Sequence, residues 1–387
     1  MLLYQFLKKG KTILKSTVNQ NSVVLANWTT SVRIAIICIC IGTLVSCSKG
    51  QNTNKSNTGN WEMKVVSGSD WPVIVKTHPG VKDNLNGFEN GDVIKLADGS
   101  YHMIITEMFD SGFWVPARIG HWKSTDKGDT WVRLGTVVQG NNIPNDPKNN
   151  TWSAMWYFDA VANRWNIIWR GNSLFRYASD KTGDEGIDAN YTQVSQSILP
   201  FKGTEKWWNL NRPCPASFSN IFKAKNGQYY AFIGNEFIGN GKIASAVGDW
   251  NWVCGLVTAA NIDGPWYQDD SKTDPDFNFA ENPIVIKDGD TYFTVFDDLL
   301  YQKSIGYAYS TDGIHWTQKS LDLTNYVNWC ANPKRISKEN NSGLVLCLRT
   351  PCCIIKEGNN FVILFTGYSI NNAYFEVGKI VVSLNPS

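Results

Sequence analysis

The chain has 387 residues with a nearly balanced formal charge of +2, 43% hydrophobic residues and 13% aromatic residues. It is long enough to bury a sizeable core, and its composition is that of a folded protein. No block of lysine and arginine interleaved with aromatic residues follows residue 60, which argues against a nucleic-acid-binding surface.

The first 47 residues have the pattern of a secretory signal. An apolar run from Ile34 to Val45 follows Arg33 and four lysines between positions 8 and 15, and it is too short for a comfortable membrane span. The run closes with Leu-Val-Ser-Cys, which resembles a bacterial lipobox, in which the cysteine is cleaved and lipidated. We therefore predict a signal peptide over 1–47, lipidation of Cys47, and anchoring to the bacterial outer membrane, facing the periplasm or the cell surface.

Residues 48–60, SKGQNTNKSNTGN, are polar and rich in Asn, Ser and Gly. Such a segment cannot build a core, so we predict a flexible tether between the lipid and a folded domain over 61–387. The lipid is then the only expected contact with the membrane. We expect the folded domain to be a monomer.

The folded domain contains an internal repeat. Lys95 and Lys287 occupy the same place in two similar stretches and lie 192 residues apart, and Lys223 lies 128 residues after the first. The period is therefore 64 residues, and it predicts further copies around Asp159 and Lys356. The sequence thus contains five copies.

Each copy begins with a short apolar strand, a Gly- or Asn-bearing hairpin and an alternating strand rich in aromatic and β-branched residues. Further strands follow, which makes about four antiparallel strands per copy. The 327 residues from 61 to 387 hold about five such units. We predict an all-β, five-bladed β-propeller, because closing the ring also removes exposed sheet edges.

Three stretches resemble a known family. ENPIVIKDGDTYF at 281–293, DGPW at 263–266 and TWSAMWYFDAVANRWNIIW at 151–169 are similar to blade segments of five-bladed glycoside hydrolases such as family 43. Relatives in that family act on arabinans, xylans, galactans and fructans. The resemblance implies a funnel-shaped site on the propeller axis, lined by the first residues of the innermost strands, with carboxylates that hydrolyse a glycosidic bond.

The resemblance also implies roles for individual residues. Glu281 is the expected catalytic acid, and Glu89 is the expected ionised partner that activates water. Each precedes an asparagine, Asn282 or Asn90, that is expected to bind substrate. Asp297, in the FDD stretch, is the reserve carboxylate.

The chain departs from the family pattern at two places. Met155 stands where the second blade of the family carries an aspartate, and Pro213 stands where the third blade carries the acid. The site therefore uses other blades, or the chain belongs to a divergent family, or hydrolysis has been lost. Four acids end second strands and could also reach the mouth, but we interpret each as a solvated loop acid: Glu107, Glu236, Asp297 and Asp298.

Arginines and tryptophans near blade starts are candidate substrate contacts. Arg212 and Arg349 could clamp a carboxylate or sulfate of an acidic sugar through paired hydrogen bonds, or form salt bridges within the protein. Trp152 could stack on a pyranose ring or simply pack in the core.

Other motifs are expected to be structural. STDKGDTW at 124–131 and STDGIHW at 310–316 match turn boxes of sialidase-like propellers, so Asp126 and Asp312 are predicted to tie turns at outer strands. No cysteine spacing resembles a zinc site, and Cys352 and Cys353 are not expected to pair with each other.

Among the histidines, His102 could approach the axis, although a core imidazole is preferred. We expect no metal ligands among the named site residues and no organic cofactor, while a structural metal ion on the axis is left open.

Together these features predict a lipid-anchored glycoside hydrolase that removes a terminal sugar from an oligo- or polysaccharide by carboxylate acid/base catalysis. One alternative is a non-catalytic glycan-binding lipoprotein on the same scaffold. Another is a sialidase-like or lyase-type propeller enzyme for an acidic sugar, which is favoured if Arg212 and Arg349 cluster with Tyr368.

Overall fold

The computed structural model describes residues 59–386 apart from gaps at 82, 85, 110–115, 142, 144–145, 147, 149–150, 172, 197–216, 237–251, 269–279, 299–304, 324, 331–347 and 370–374. The chain divides into two compact units after Lys55, and every described residue belongs to the second unit. The predicted signal peptide, Cys47 and most of the tether lie outside the described residues. Within them, no helix is long and apolar enough to cross a membrane.

The described residues form five antiparallel sheets that follow one another along the chain. After β1 (Trp61–Gly68), blade I contains β2 (Phe88–Lys95), β3 (Tyr101–Glu107), β4 (Arg118–Ser124) and β5 (Val132–Val138). Blade II contains β6 (Trp152–Asp159), β7 (Arg164–Arg170), β8 (Leu174–Ser179) and β9 (Tyr191–Gln196). Short 3-10 turns lie at Pro79–Val81 and Gly183–Asp188.

Blade III contains β10 (Ser217–Phe218), β11 (Phe222–Lys223), β12 (Tyr229–Glu236), β13 (Trp252–Ala259) and β14 (Tyr267–Gln268). Blade IV contains β15 (Ala280–Asp288), β16 (Thr291–Asp298), β17 (Ile305–Ser310) and β18 (Thr317–Ser320). Blade V contains β19 (Leu348–Pro351), β20 (Ile355–Glu357), β21 (Asn360–Tyr368) and β22 (Phe375–Pro386). The prediction of an all-β, five-bladed propeller is confirmed.

Blade V is completed from the other end of the chain. Strand β1 pairs antiparallel with β22, so that Trp61 lies opposite Pro386. Pairing the first strand with the last closes the ring through a ladder of backbone hydrogen bonds, and β1 becomes the outermost strand of blade V.

The core is divided among the five interfaces between neighbouring blades, and each interface has its own apolar cluster. The cluster between blades I and II, for example, packs Ile104 and Ile119 of blade I against Trp156 and Trp169 of blade II. Large aromatic residues fill these interfaces because two sheet faces packed about 10 Å apart need bulky side chains between them.

Polar side chains link the innermost strands of neighbouring blades. Asp92 on β2 accepts a hydrogen bond from the backbone N–H of Trp156 at 2.8 Å. Asn220, two periods further along the chain, accepts from the N–H of Val285 at 2.8 Å and donates to its carbonyl oxygen at 2.7 Å. Innermost strands have one edge without a neighbouring strand, so these side chains satisfy backbone groups that would otherwise lack partners.

The two turn boxes are structural, as predicted. Asp126 accepts from Ser124 Oγ at 2.7 Å and from the backbone N–H of Thr130 at 2.9 Å. Asp312 accepts from Ser310 Oγ at 2.9 Å and from the N–H of Ile314 at 2.7 Å. Both turns connect the third and fourth strands of their blades, away from the axis.

The described cysteines are buried free thiols: Cys254, Cys330, Cys352 and Cys353. The expectation that Cys352 and Cys353 do not pair with each other is confirmed. Cys214 and Cys347 lie outside the described residues.

Candidate functional site

One end of the propeller, called the mouth here, is formed by the first residues of the innermost strands and the last residues of the second strands. In four blades the innermost strand carries a non-glycine residue with a left-handed backbone: Asn90 (φ 45°), Ser153 (φ 48°), Asn282 (φ 53°) and Thr350 (φ 23°). Each coincides with a shift in the strand register, which is the signature of a β-bulge. Bulges re-aim side chains, and such strained residues cluster at functional sites.

Blade IV places two carboxylates face to face. Glu281 on β15 lies directly opposite Asp297 on β16, so their side chains leave the same face of the sheet with Cβ atoms about 5 Å apart. Both are buried, Glu281 at 6% and Asp297 at 3% exposure. Asn282 Nδ2 donates to Asp297 Oδ2 at 3.1 Å, which orients this carboxylate.

Neighbouring blades contact the same group. Thr350 Oγ1 of blade V lies 3.5 Å from both Asn282 Nδ2 and Asp297 Oδ2. Burial raises the pKa of the Cys254 thiol in blade III, and the charges of Glu281 and Asp297 raise this pKa further. Side chains from blades III, IV and V therefore meet around the two carboxylates.

Blade I contributes the predicted Glu89 and Asn90. Glu89 is buried at 2% exposure and lies opposite Thr106 on β3. Thr106 Oγ1 donates to the carbonyl oxygen of Asn90 at 3.2 Å and accepts from the N–H of Ser153 at 3.2 Å, which joins the bulges of blades I and II.

Two polar atoms at these bulges are buried without a hydrogen-bond partner among the described residues: Asn90 Oδ1 and Ser153 Oγ. Buried polar atoms in folded proteins are nearly always hydrogen-bonded. These two atoms are therefore candidates for contact with water or with a sugar hydroxyl. Ser153 was missed by the sequence analysis because a serine in an apolar strand carries no pattern.

Apolar side chains cross the axis below the mouth. Met155 on the innermost strand of blade II packs into the cluster that otherwise belongs to blades IV and V, which includes Ile284 of β15 and Ile354 between β19 and β20. The position at which the family resemblance implies an aspartate is thus near the axis and contributes a thioether to an apolar floor.

Three acids predicted to be solvated, Glu107, Asp297 and Asp298, are instead buried, so that prediction was wrong for them. Glu107 is fully buried and accepts hydrogen bonds from Arg118 Nε at 2.6 Å, Arg133 Nε at 2.9 Å and Trp122 Nε1 at 2.9 Å. Asp298 is buried at 1% exposure and accepts from Ser320 Oγ. The sequence showed only that these acids end strands, whereas their partners come from strands and turns further along the blade.

The other predicted contacts are placed as follows. Trp152 is buried at 5% exposure and packs with Met108, Ala117 and Phe375, so its indole supports the wall of the mouth. Arg212 lies outside the described residues, and only the backbone of Arg349 is described, in β19. The predicted clamp for an acidic sugar therefore stays a prediction.

Asp92 is a further buried acid on β2 that the sequence analysis did not single out. Burial raises the pKa of its carboxyl to about 7. Hydrogen bonds from the backbone N–H groups of Trp156 and Val93 lower this pKa and so partly offset the effect of burial. The sequence signal for this residue is its position in the stretch GDVIK, where an acid stands in the middle of an apolar strand.

No family model and no curated protein sequence matches the chain. Solved structures do match. Zg3597, a family 117 glycoside hydrolase of the marine bacterium Zobellia galactanivorans, is 13% identical with a TM-score of 0.53, covering 85% of this chain and 91% of its own. CoXyl43, a family 43 β-xylosidase/α-arabinofuranosidase from a compost metagenome, is 10% identical with a TM-score of 0.51, covering 82% and 94%.

A family 43 enzyme from Xanthomonas citri, complexed with xylotriose, is 12% identical with a TM-score of 0.50, covering 82% of this chain and 90% of its own. At these identities the likeness concerns the fold. The described chain is a divergent five-bladed β-propeller of the architecture found in glycoside hydrolase families 43 and 117, as the sequence resemblance implied.

Proposed function

We propose that this protein is a glycoside hydrolase that removes a terminal sugar from an oligo- or polysaccharide by acid/base catalysis at the mouth of the propeller. The observation that carries the proposal is the set of bulged innermost strands, which bring Glu89 and Asn90 from blade I, and Glu281 and Asn282 from blade IV, to one end of the ring. The likeness to solved glycoside hydrolases supports the same assignment.

In the proposed mechanism Glu281 donates a proton to the leaving glycosidic oxygen, and Glu89 activates the attacking water from the facing blade. Asp297 lies opposite Glu281 and accepts a hydrogen bond from Asn282, which holds a second carboxylate beside the proposed acid. Asn90 Oδ1 accepts a hydrogen bond from a sugar hydroxyl, and Ser153 Oγ donates to or accepts from one; neither atom has a partner among the described residues.

The apolar floor supports terminal cleavage. Because Met155 packs against the blade IV and V cluster, apolar side chains lie below the carboxylates and the substrate is expected to approach from the mouth. Because the Xanthomonas citri enzyme is complexed with xylotriose and CoXyl43 is a β-xylosidase/α-arabinofuranosidase, xylo-oligosaccharides and arabinofuranosides are the first substrates to try.

The test is turnover of a panel of aryl glycosides and oligosaccharides, xylotriose included, by the natural protein and by Glu281→Gln and Glu89→Gln. We expect each variant to lose roughly a hundredfold or more in kcat, because each removes a proton-transfer group. Glu62→Gln is the matched control, since Glu62 lies on the outer strand β1 in an exposed ion pair with Lys64.

Equal turnover by all variants would remove both glutamates from the mechanism. If the natural protein binds oligosaccharides without turnover, the glycan-binding alternative is correct instead. Azide added to Glu89→Gln distinguishes the roles further, because a small nucleophile replaces a lost base more readily than a lost acid when the leaving group is activated.

We also propose that Cys47 carries the lipid that anchors the domain to the outer membrane. The lipobox resemblance supports this, and the folded domain begins its first strand at Trp61. Metabolic labelling with a fatty acid should mark the natural protein and not Cys47→Ala. Equal labelling of both proteins would overturn the proposal.

A further inference from the structure

A cluster of metal-ligand side chains lies between blades I and II, apart from the mouth. His102 on β3, His121 on β4 and Asp188 at the end of the 3-10 turn Gly183–Asp188 bring one ligand atom each to a common point. His102 Nδ1 is 3.0 Å from His121 Nε2 and 3.4 Å from Asp188 Oδ1, and the third side of the triangle is 3.8 Å.

These distances suit a shared ion. In a tetrahedral site with metal–ligand bonds of about 2.0–2.1 Å, ligand atoms lie roughly 3.3 Å from one another. The observed triangle spans this value. Two imidazoles and one carboxylate are ligands that Zn²⁺ and neighbouring first-row metals accept, whereas Ca²⁺ and Mg²⁺ prefer oxygen alone.

The protein holds the triangle in place. Ile187 is buried at 2% exposure in the cluster between blades I and II, which fixes the turn that carries Asp188. The ring of His121 packs edge-on against Trp156, with centroids 5.5 Å apart. A site built from packed side chains requires little rearrangement to bind an ion.

The polar contacts of the fully buried His102 ring are made through Nδ1, which faces both His121 Nε2 at 3.0 Å and Asp188 Oδ1 at 3.4 Å. Asp188 is half-exposed, which leaves a path for an ion to enter and room for a water as fourth ligand.

We propose that His102, His121 and Asp188 bind a divalent transition-metal ion, with Zn²⁺ as the probe, and that this ion links blade I to blade II. The site lies away from the mouth, because His102 is four residues along β3 from Thr106, or about 13 Å. His102 thus lies away from the mouth, and this proposal differs from the sequence-based expectation, which named no metal ligands. The proposal is independent of the proposed hydrolase activity.

The test measures Zn²⁺ binding to the full chain after dialysis against a chelator, by calorimetry and by metal analysis. We expect one ion per chain with micromolar or tighter affinity and a rise in Tm of about 5 °C at a hundredfold excess over Kd. Asp188→Asn should weaken binding at least tenfold and remove the rise in Tm. Because Asp188 is half-exposed, this variant should fold normally, which circular dichroism checks.

Glu185→Gln is the matched control, since it removes a carboxylate from the same turn at an exposed position and should leave binding unchanged. Co²⁺ gives an independent readout. The natural protein should show the visible absorption of a low-coordinate Co²⁺ site without a thiolate charge-transfer band, and Asp188→Asn and His102→Gln should not show it. Absence of stoichiometric binding, or equal binding by natural protein and Asp188→Asn, would overturn the proposal.

Discussion

The junctions between blades I and II and between blades III and IV use the same position of the repeat with different side chains. Asp92 and Asn220 are 128 residues apart, which is two periods. Asn220 is partly exposed and makes two hydrogen bonds to Val285, one as donor and one as acceptor. Asp92 is buried at 4% exposure and accepts from the N–H of Trp156.

The difference shows that backbone groups of a neighbouring blade can receive their hydrogen-bond partner either from a titratable side chain or from a neutral one. An amide supplies a donor and an acceptor and stays neutral at every pH. An ionised carboxylate can only accept, and burial disfavours its charge, which raises the pKa of Asp92 to about 7. The first junction is therefore sensitive to pH in the neutral range, and the second is not.

The largest expected effect is on the pH dependence of stability. Because the pKa of Asp92 rises from 3.8 to about 7 on folding, the native state keeps a proton that the unfolded state releases above about pH 4. Stability then falls as pH rises through this window. Relative to Asp92→Asn, the natural protein should lose about 2.5 kcal/mol of unfolding free energy between pH 5 and pH 8.

Urea denaturation of both proteins at several pH values measures this difference. The asparagine variant copies the side chain that the repeat uses at position 220, so it should still accept the N–H of Trp156. A constant difference across the pH range would show that Asp92 does not titrate as its burial implies.

A smaller effect is expected at the second junction. Asn220→Ala removes both hydrogen bonds to Val285 and leaves a backbone N–H and a carbonyl without these partners. We expect a loss of about 2 kcal/mol in unfolding free energy. The loss should be the same at pH 5 and pH 8, because no ionisable group is removed. A loss that changes with pH would mean that the two junctions do not behave as separate units.

The smallest effect is expected at Asp126, a carboxylate whose pKa falls on folding, whereas that of Asp92 rises. Burial raises the pKa of the Asp126 carboxyl, but hydrogen bonds from Thr130 and Ser124 outweigh burial and lower this pKa to about 2. This group stabilises the fold above about pH 4, and the contribution is lost as pH falls towards 2. Since Asp126 is exposed, solvent screening reduces the effect of Asp126→Asn to about 1 kcal/mol at neutral pH.

Denaturation of Asp126→Asn and of Asp92→Asn at several pH values would compare the two opposite pH dependences of the unfolding free energy. Below pH 3 the difference between Asp126→Asn and the natural protein should shrink, whereas the Asp92→Asn difference should already be small by pH 4. A variant at Asp126 that is equally destabilised at pH 2 and pH 7 would contradict the assigned role of its charge.

Much of the fold could be predicted from the sequence because it repeats local patterns. Alternation in each strand, the hairpin glycines and the turn boxes around Asp126 and Asp312 act over a few residues, and a period of 64 multiplies that signal. The same local logic indicated Glu89, Asn90, Glu281 and Asn282 as a repeated pair at blade starts. The structure shows what the repeat alone did not, that Asn90 and Asn282 adopt left-handed backbone conformations at bulges.

The sequence by itself determined the number of blades, the strand order within them and the residues that open the innermost strands, because these follow from periodicity and neighbouring residues. Only the tertiary structure decided what the isolated polar residues do. Glu107 meets its arginines, and His102 and His121 meet Asp188 some 86 residues from His102, only when blades are formed and packed together. Contacts between residues so far apart depend on the packing of sheet faces, which leaves no regular spacing along the chain.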